Sequence, residues 1–110
     1  MNISVKDIND VKVVQFDGKL DSNNAKDAET RLNDLLNQEA HKILVDFEKL
    51  DYTSSAGLRI MLATAKRLSG VGGALHLCCL NEDVTEVFDM SGFSTLLNVF
   101  KTVDEALGGF

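Results

Sequence analysis

Two adjacent serines, Ser54 and Ser55, precede Ala56 and Gly57 at the centre of the chain. They sit between an apolar strand, Ile43 to Phe47, and an apolar helix, about Leu58 to Leu68. Both hydroxyls therefore fall at a helix N-terminus, where free backbone N–H groups and the positive end of the helix dipole favour an anion. A serine there caps the helix when bare and can carry a phosphate when modified. The chemistry offered is that of a switch, and it points to a regulatory binding module rather than an enzyme. No Gly-x-Ser-x-Gly elbow is present. A base would have to reach Ser55 and be oriented by a third group. His41 falls in a helix–strand loop, and His76 alternates with the core-facing residues of its strand. Gly70 to Gly73 lacks the Lys-Ser/Thr of a phosphate loop, so no cofactor is expected.

The cysteines are adjacent, Cys78 and Cys79, in an apolar strand-like run. Neighbouring strand residues point to opposite faces, so the pair is expected neither to share a metal nor to staple the fold. With the histidines they do not make a zinc pattern. They read as buried, reduced thiols of a cytosolic protein.

The elements that hold the serines follow from hydrophobic period. Ile3 to Asp7 and Val11 to Phe16 read as a hairpin about Asn9-Asp10, and Asp17-Gly18 ends the second strand. Asp21-Ser22-Asn23-Asn24 offers N-caps for a helix whose buried stripe is Ala25, Ala28, Leu32, Leu35 and Leu36. Ile43-Leu44-Val45 is a strand covered on both sides. The helix after Gly57 is apolar nearly all round, with Gly70 as its expected C-cap. Gly72-Gly73 turns into a strand from Ala74 to Leu80. Asn81 caps a short helix ending near Gly92, Leu96 to Phe100 is a last strand, and Thr102 with Glu105 forms a capping box. The order β-β-α-β-α-β-α-β-α predicts an α/β fold: a mixed, mainly parallel sheet of four to five strands, about four helices and an opening β-hairpin. Ligands and partners of such sheets bind where strands end and helices begin. If the strands ahead of them are parallel neighbours, the loops Gly18–Asn24 and Asp51–Gly57 share one edge.

The composition fits one soluble globular domain over residues 1–110, with 45% apolar and 25% charged residues. A net charge of −6 argues against direct nucleic-acid binding and against docking on an anionic membrane. No run approaches the ~20 apolar residues that span a bilayer, so no membrane insertion is expected. The N-terminus lacks a basic start followed by an apolar stretch, which favours a cytoplasmic location.

Asp51-Tyr52-Thr53-Ser54-Ser55-Ala56-Gly57-Leu58-Arg59 resembles the signature segment of STAS domains, the family of bacterial anti-sigma factor antagonists. Gly18-Lys19-Leu20-Asp21, Ile43 to Phe47 leading to Leu50, and Phe88-Asp89-Met90-Ser91-Gly92-Phe93 resemble three further family segments in register. The resemblance covers essentially the whole chain. It implies a protein that binds an anti-sigma factor, itself a serine kinase, when unphosphorylated, and releases it on serine phosphorylation. A serine phosphatase then resets the cycle. On this resemblance Ser55 is the phosphoacceptor, and Asp21, Ser54, Gly57 and Leu58 lie on or beside the partner-binding edge. Against one common motif form, Asp-Ser-Ser-Gly-Leu-Gly, Ser54 replaces the acid, Ala56 the second serine and Arg59 the second glycine. Two acceptor hydroxyls thus still adjoin, at Ser54 and Ser55. The family also supplies subunits of lipid-transport and stress-signalling assemblies, which is the alternative role.

Overall fold

The computed structural model describes residues 1–110. Strands β1 (Asn2–Ile8) and β2 (Val11–Leu20) form the opening hairpin. Its loop is Asn9-Asp10, both at positive φ, 49° and 70°. A two-residue type I′ turn needs two such residues, and Asn and Asp tolerate that conformation best. Helix α1 spans Ala25–Asn37, and β3 (Lys42–Asp46) and β4 (Leu50–Thr53) precede helix α2 (Ser55–Gly70). Then come β5 (Ala74–Cys78), α3 (Glu82–Ser91), a single tight turn at Phe93–Thr95, β6 (Asn98–Phe100) and α4 (Val103–Gly108).

The sheet runs β1-β2-β3-β5-β6, with β4 also paired to β2. Only the β1–β2 pair is antiparallel. This is the mixed, mainly parallel α/β sheet the sequence predicts, with β4 as an added strand. β4 arises because β2 does not stop at Asp17-Gly18. It runs on to Leu20, with Gly18 at φ +116° and a register shift between Gly18 and Lys19. Val14 pairs with Val45 of β3 before this irregularity, and Leu20 pairs with Thr53 of β4 after it. The glycine lets one strand change partner.

Alternation along each strand splits the core in two. Val14, Phe16, Ile43, Val45, Leu75 and Leu77 face a cluster shared with α1, α2 and α3 through Leu32, Leu58, Met61 and Phe88. Val11, Val13, Leu44 and Cys78 face the other way, against Ala106 of α4. His76 is buried on that second face. Its Nδ1 lies 2.8 Å from the Ala106 carbonyl, and its ring stacks on Phe110 at 3.7 Å. It is a structural clasp for the C-terminal helix, with no path to Ser55.

Helix ends correct one detail of the sequence reading. α2 closes on Gly72 rather than Gly70. Gly72 takes φ +77°, its N–H donates to the Ser69 carbonyl at 3.3 Å, and the Gly73 N–H donates to the Leu68 carbonyl at 2.8 Å. That is a Schellman motif, which requires the left-handed residue one position past the cap. Asn81 and Thr102 cap α3 and α4 as expected, accepting from Val84 and Glu105 N–H.

Candidate functional site

The site is built on the parallel pairing of β2 with β4. Leu20 and Thr53 are partners, and the Ser54 N–H donates to the Leu20 carbonyl at 3.0 Å. Asp21 and Ser54 therefore leave the sheet side by side, on the carboxyl edge where two helices begin. Neighbouring strands lie ~4.8 Å apart, so the two loops form one surface. This meets the shared-edge expectation.

The loop after β2 is held rigid by its own side chains. The Asn24 amide donates to the Lys19 carbonyl at 2.7 Å, and Asn24 Oδ1 accepts from the Asp21 N–H at 3.0 Å. Asp21 Oδ1 accepts from the Asn23 N–H at 2.9 Å. Asp21 is thus not the cap of α1, whose N-cap position belongs to Asn24. Asp21 is half-buried, and its backbone lies beside the start of α2. From the other side Asn81 fixes β4, donating to the carbonyls of Leu50 (2.9 Å) and Asp51 (3.3 Å).

Ser54 and Ser55 separate sharply. Ser54 occupies the N-cap position with extended backbone, φ −103° and ψ 173°, and its carbonyl accepts from the Gly57 and Leu58 N–H groups. Its side chain does not cap the helix. Ser54 Oγ is buried and makes no hydrogen bond, contrary to the capping role expected for it. Ser55 is the first helical residue and is exposed. The first turn of α2 carries no acidic side chain, so its N–H groups and dipole are without a compensating charge. Because Ser54 Oγ has no partner, Ser54→Ala is expected to leave the thermal midpoint nearly unchanged or slightly raised. Asn81→Ala, which removes a working cap, should cost about 0.5–2 kcal/mol. Paired thermal melts check the contrast; an equal loss in both would mean the Ser54 hydroxyl is bonded after all.

Two residues expected at the partner-binding edge lie beneath it. Leu58 is fully buried in the main core. Gly57 is buried too, and a Cβ there would overlap Thr53 Oγ1 and come within 2.8 Å of Leu20 Cγ. These two residues seat α2 against β2 and β4, and neither side-chain position faces solvent. The reason is helical period: Leu58 follows Ser55 by three residues but is turned inward with Met61, while Arg59, four residues on, is exposed. Arg59, read from the sequence as a departure from the motif, and Tyr52, read as shaping the turn, are surface residues of this edge, Tyr52 being 45% exposed.

A profile of the STAS domain family matches residues 2–106. BtrV of Bordetella bronchiseptica, whose name describes it as an anti-sigma factor antagonist, is 34% identical over 110 residues, covering 100% of this chain and 95% of BtrV. The crystal structure of a Thermotoga maritima protein described in the same terms superposes with a TM-score of 0.92 at 23% identity, over 97% of this chain and 92% of that one. The Bacillus cell-fate determinant SpoIIAA, in its phosphorylated form, superposes at 0.73 and 22% identity, over 97% of both chains. No helix is long and apolar enough to cross a membrane. Sequence profile, relatives and fold together place this chain in the STAS domain family of bacterial anti-sigma factor antagonists.

Proposed function

We propose that this chain is a non-enzymatic cytoplasmic switch acting as a single STAS unit. Unphosphorylated, it binds an anti-sigma factor that is also a serine kinase; phosphorylation of Ser55 ends the contact, and a serine phosphatase restores it. The observation that carries the reading is the contrast between the two hydroxyls, Ser55 exposed at the first helical position and Ser54 Oγ sealed beneath it. Of two adjoining acceptors, a kinase can reach one. The name of BtrV supports the partner class, and the phosphorylated form of SpoIIAA supports modification as the switch.

The physics of the switch is a difference between two environments. A phosphate adds about −1.5 to −2 charges to a small hydroxyl. The fold accepts it, because an uncompensated helix N-terminus favours an anion. Arg59, exposed one turn on, is within the i,i+4 spacing at which a guanidinium pairs with such a group. A partner surface shaped for a bare serine does not accept it, because the charge must be desolvated there.

The test is phosphorylation by the cognate anti-sigma kinase with ATP, followed by localisation of the phosphate by fragmentation mass spectrometry. A single phosphate on Ser55 is expected. A phosphate on Ser54 or elsewhere, or none from a kinase that phosphorylates its other substrates, overturns the assignment.

A further inference from the structure

The two cysteines do not point to opposite faces. β5 ends at Cys78, and Cys79 takes φ +64°, a left-handed conformation that L side chains other than Asn and Asp seldom adopt. Such strained residues concentrate at functional sites. The reversal brings the Cys79 thiol back toward Cys78. Cys78 is itself part of a row across three parallel strands, Gln15 beside Asp46 beside Cys78. The two sulfur atoms and an Asp46 carboxylate oxygen all lie within 4.8 Å of one another.

We propose that Asp46, Cys78 and Cys79 form a binding site for one thiophilic divalent cation of the zinc and cadmium class. The carboxylate is 5% exposed and already oriented: Oδ1 accepts from the Glu48 N–H at 2.9 Å and Oδ2 from the Gln15 amide at 3.2 Å. Hydrogen-bonded ligands of this kind are what fix a metal's first ligands in place. A cleft of about 160 Å³, lined by Ser4, Val5, Lys6, Val13, Gln15 and Asp46, opens onto the carboxylate. Cys79 is only half-buried and offers a second approach. Tetrahedral sites with metal–sulfur bonds near ~2.3 Å hold their sulfur atoms about 3.5–4 Å apart, and the three ligand atoms here lie within 4.8 Å of one another. Two sulfurs and one carboxylate leave a fourth position for water.

Ligand chemistry decides the class. The set offers two thiol sulfur atoms and one carboxylate oxygen. The incoming cation must displace two protons, which pass to solvent as two thiolates form. Magnesium and calcium, which prefer oxygen, do not do this; zinc and cadmium do.

The test uses the whole chain kept reduced with a phosphine and titrated with cadmium alone. A thiolate-to-cadmium charge-transfer band should saturate at one ion per chain, and zinc should compete for it. Cys79→Gly keeps the left-handed turn, because glycine adopts positive φ freely, and should abolish the band. Asp46→Asn can keep the Glu48 N–H contact and should weaken binding at least about tenfold. Far-ultraviolet circular dichroism confirms that each variant is folded. No saturable band in the wild type, one ion per two chains, or unchanged affinity in either folded variant overturns the proposal.

Discussion

Ser55→Asp is expected to weaken binding of the anti-sigma factor about a hundredfold while leaving the fold as stable as wild type or slightly more so. A hundredfold corresponds to roughly 2.7 kcal/mol. The cost arises in the complex, where a carboxylate must be desolvated against a surface fitted to a hydroxyl. The same carboxylate in the free protein sits at the first position of a 16-residue helix with no acid in its first turn. There it should gain about 0.3–1 kcal/mol. Ser55→Ala removes the acceptor without adding charge and should bind within about threefold of wild type. Isothermal titration against the anti-sigma factor, with thermal melts of each free variant, separates the two effects. Equal affinity for the Asp and Ala variants would remove the switch and leave the alternative role, a subunit of a lipid-transport or stress-signalling assembly. Cadmium binding at Asp46, Cys78 and Cys79 is measured on the free protein and stands apart from that outcome.

What the sequence could and could not disclose follows from range. The hairpin at Asn9-Asp10, the capping residues Asn81 and Thr102, and the buried stripe of α1 are local, each set by residues within one or two turns. β4 is not local. Leu50-Asp51-Tyr52-Thr53 is four residues long with its outer two positions buried and its inner two exposed, which matches no strand period. It exists because β2 bends at Gly18 and offers a free edge. Gly18 was visible as a turn residue, but a partner change and a chain stop have the same local signature. The site divides the same way. The placement of two hydroxyls at a helix start was readable from the strand–small-residue–helix pattern. Which hydroxyl is sealed depends on how the start of α2 packs on the sheet, and that is tertiary. Cys79 is the sharpest instance. Strand alternation predicts opposite faces, and one backbone angle at the end of β5 reverses the prediction.

Leu58→Ala is expected to destabilise the protein by about 2–5 kcal/mol, because Leu58 is fully buried and the surrounding core cannot close over the space it vacates. For a chain of this size that is a fall in Tm of roughly 8 °C or more. Gly57→Ala acts in the opposite sense, by overfilling. The added methyl meets Thr53 Oγ1 and Leu20, and both belong to the paired ends of β4 and β2, so α2 must move outward. Overpacking of this kind costs about 1–3 kcal/mol. Better helix propensity at that position returns at most about 1 kcal/mol of it. The two variants also decide how this segment serves binding. Under conditions where it remains folded, Leu58→Ala should bind the anti-sigma factor within a few-fold of wild type, since its side chain never reaches the surface. Gly57→Ala should bind measurably worse at equal folded fraction, because displacing the first turn of α2 moves Ser55 relative to Asp21. If instead Leu58→Ala kept its melting temperature and lost binding, Leu58 would be a surface contact and the seating of α2 described above would be wrong.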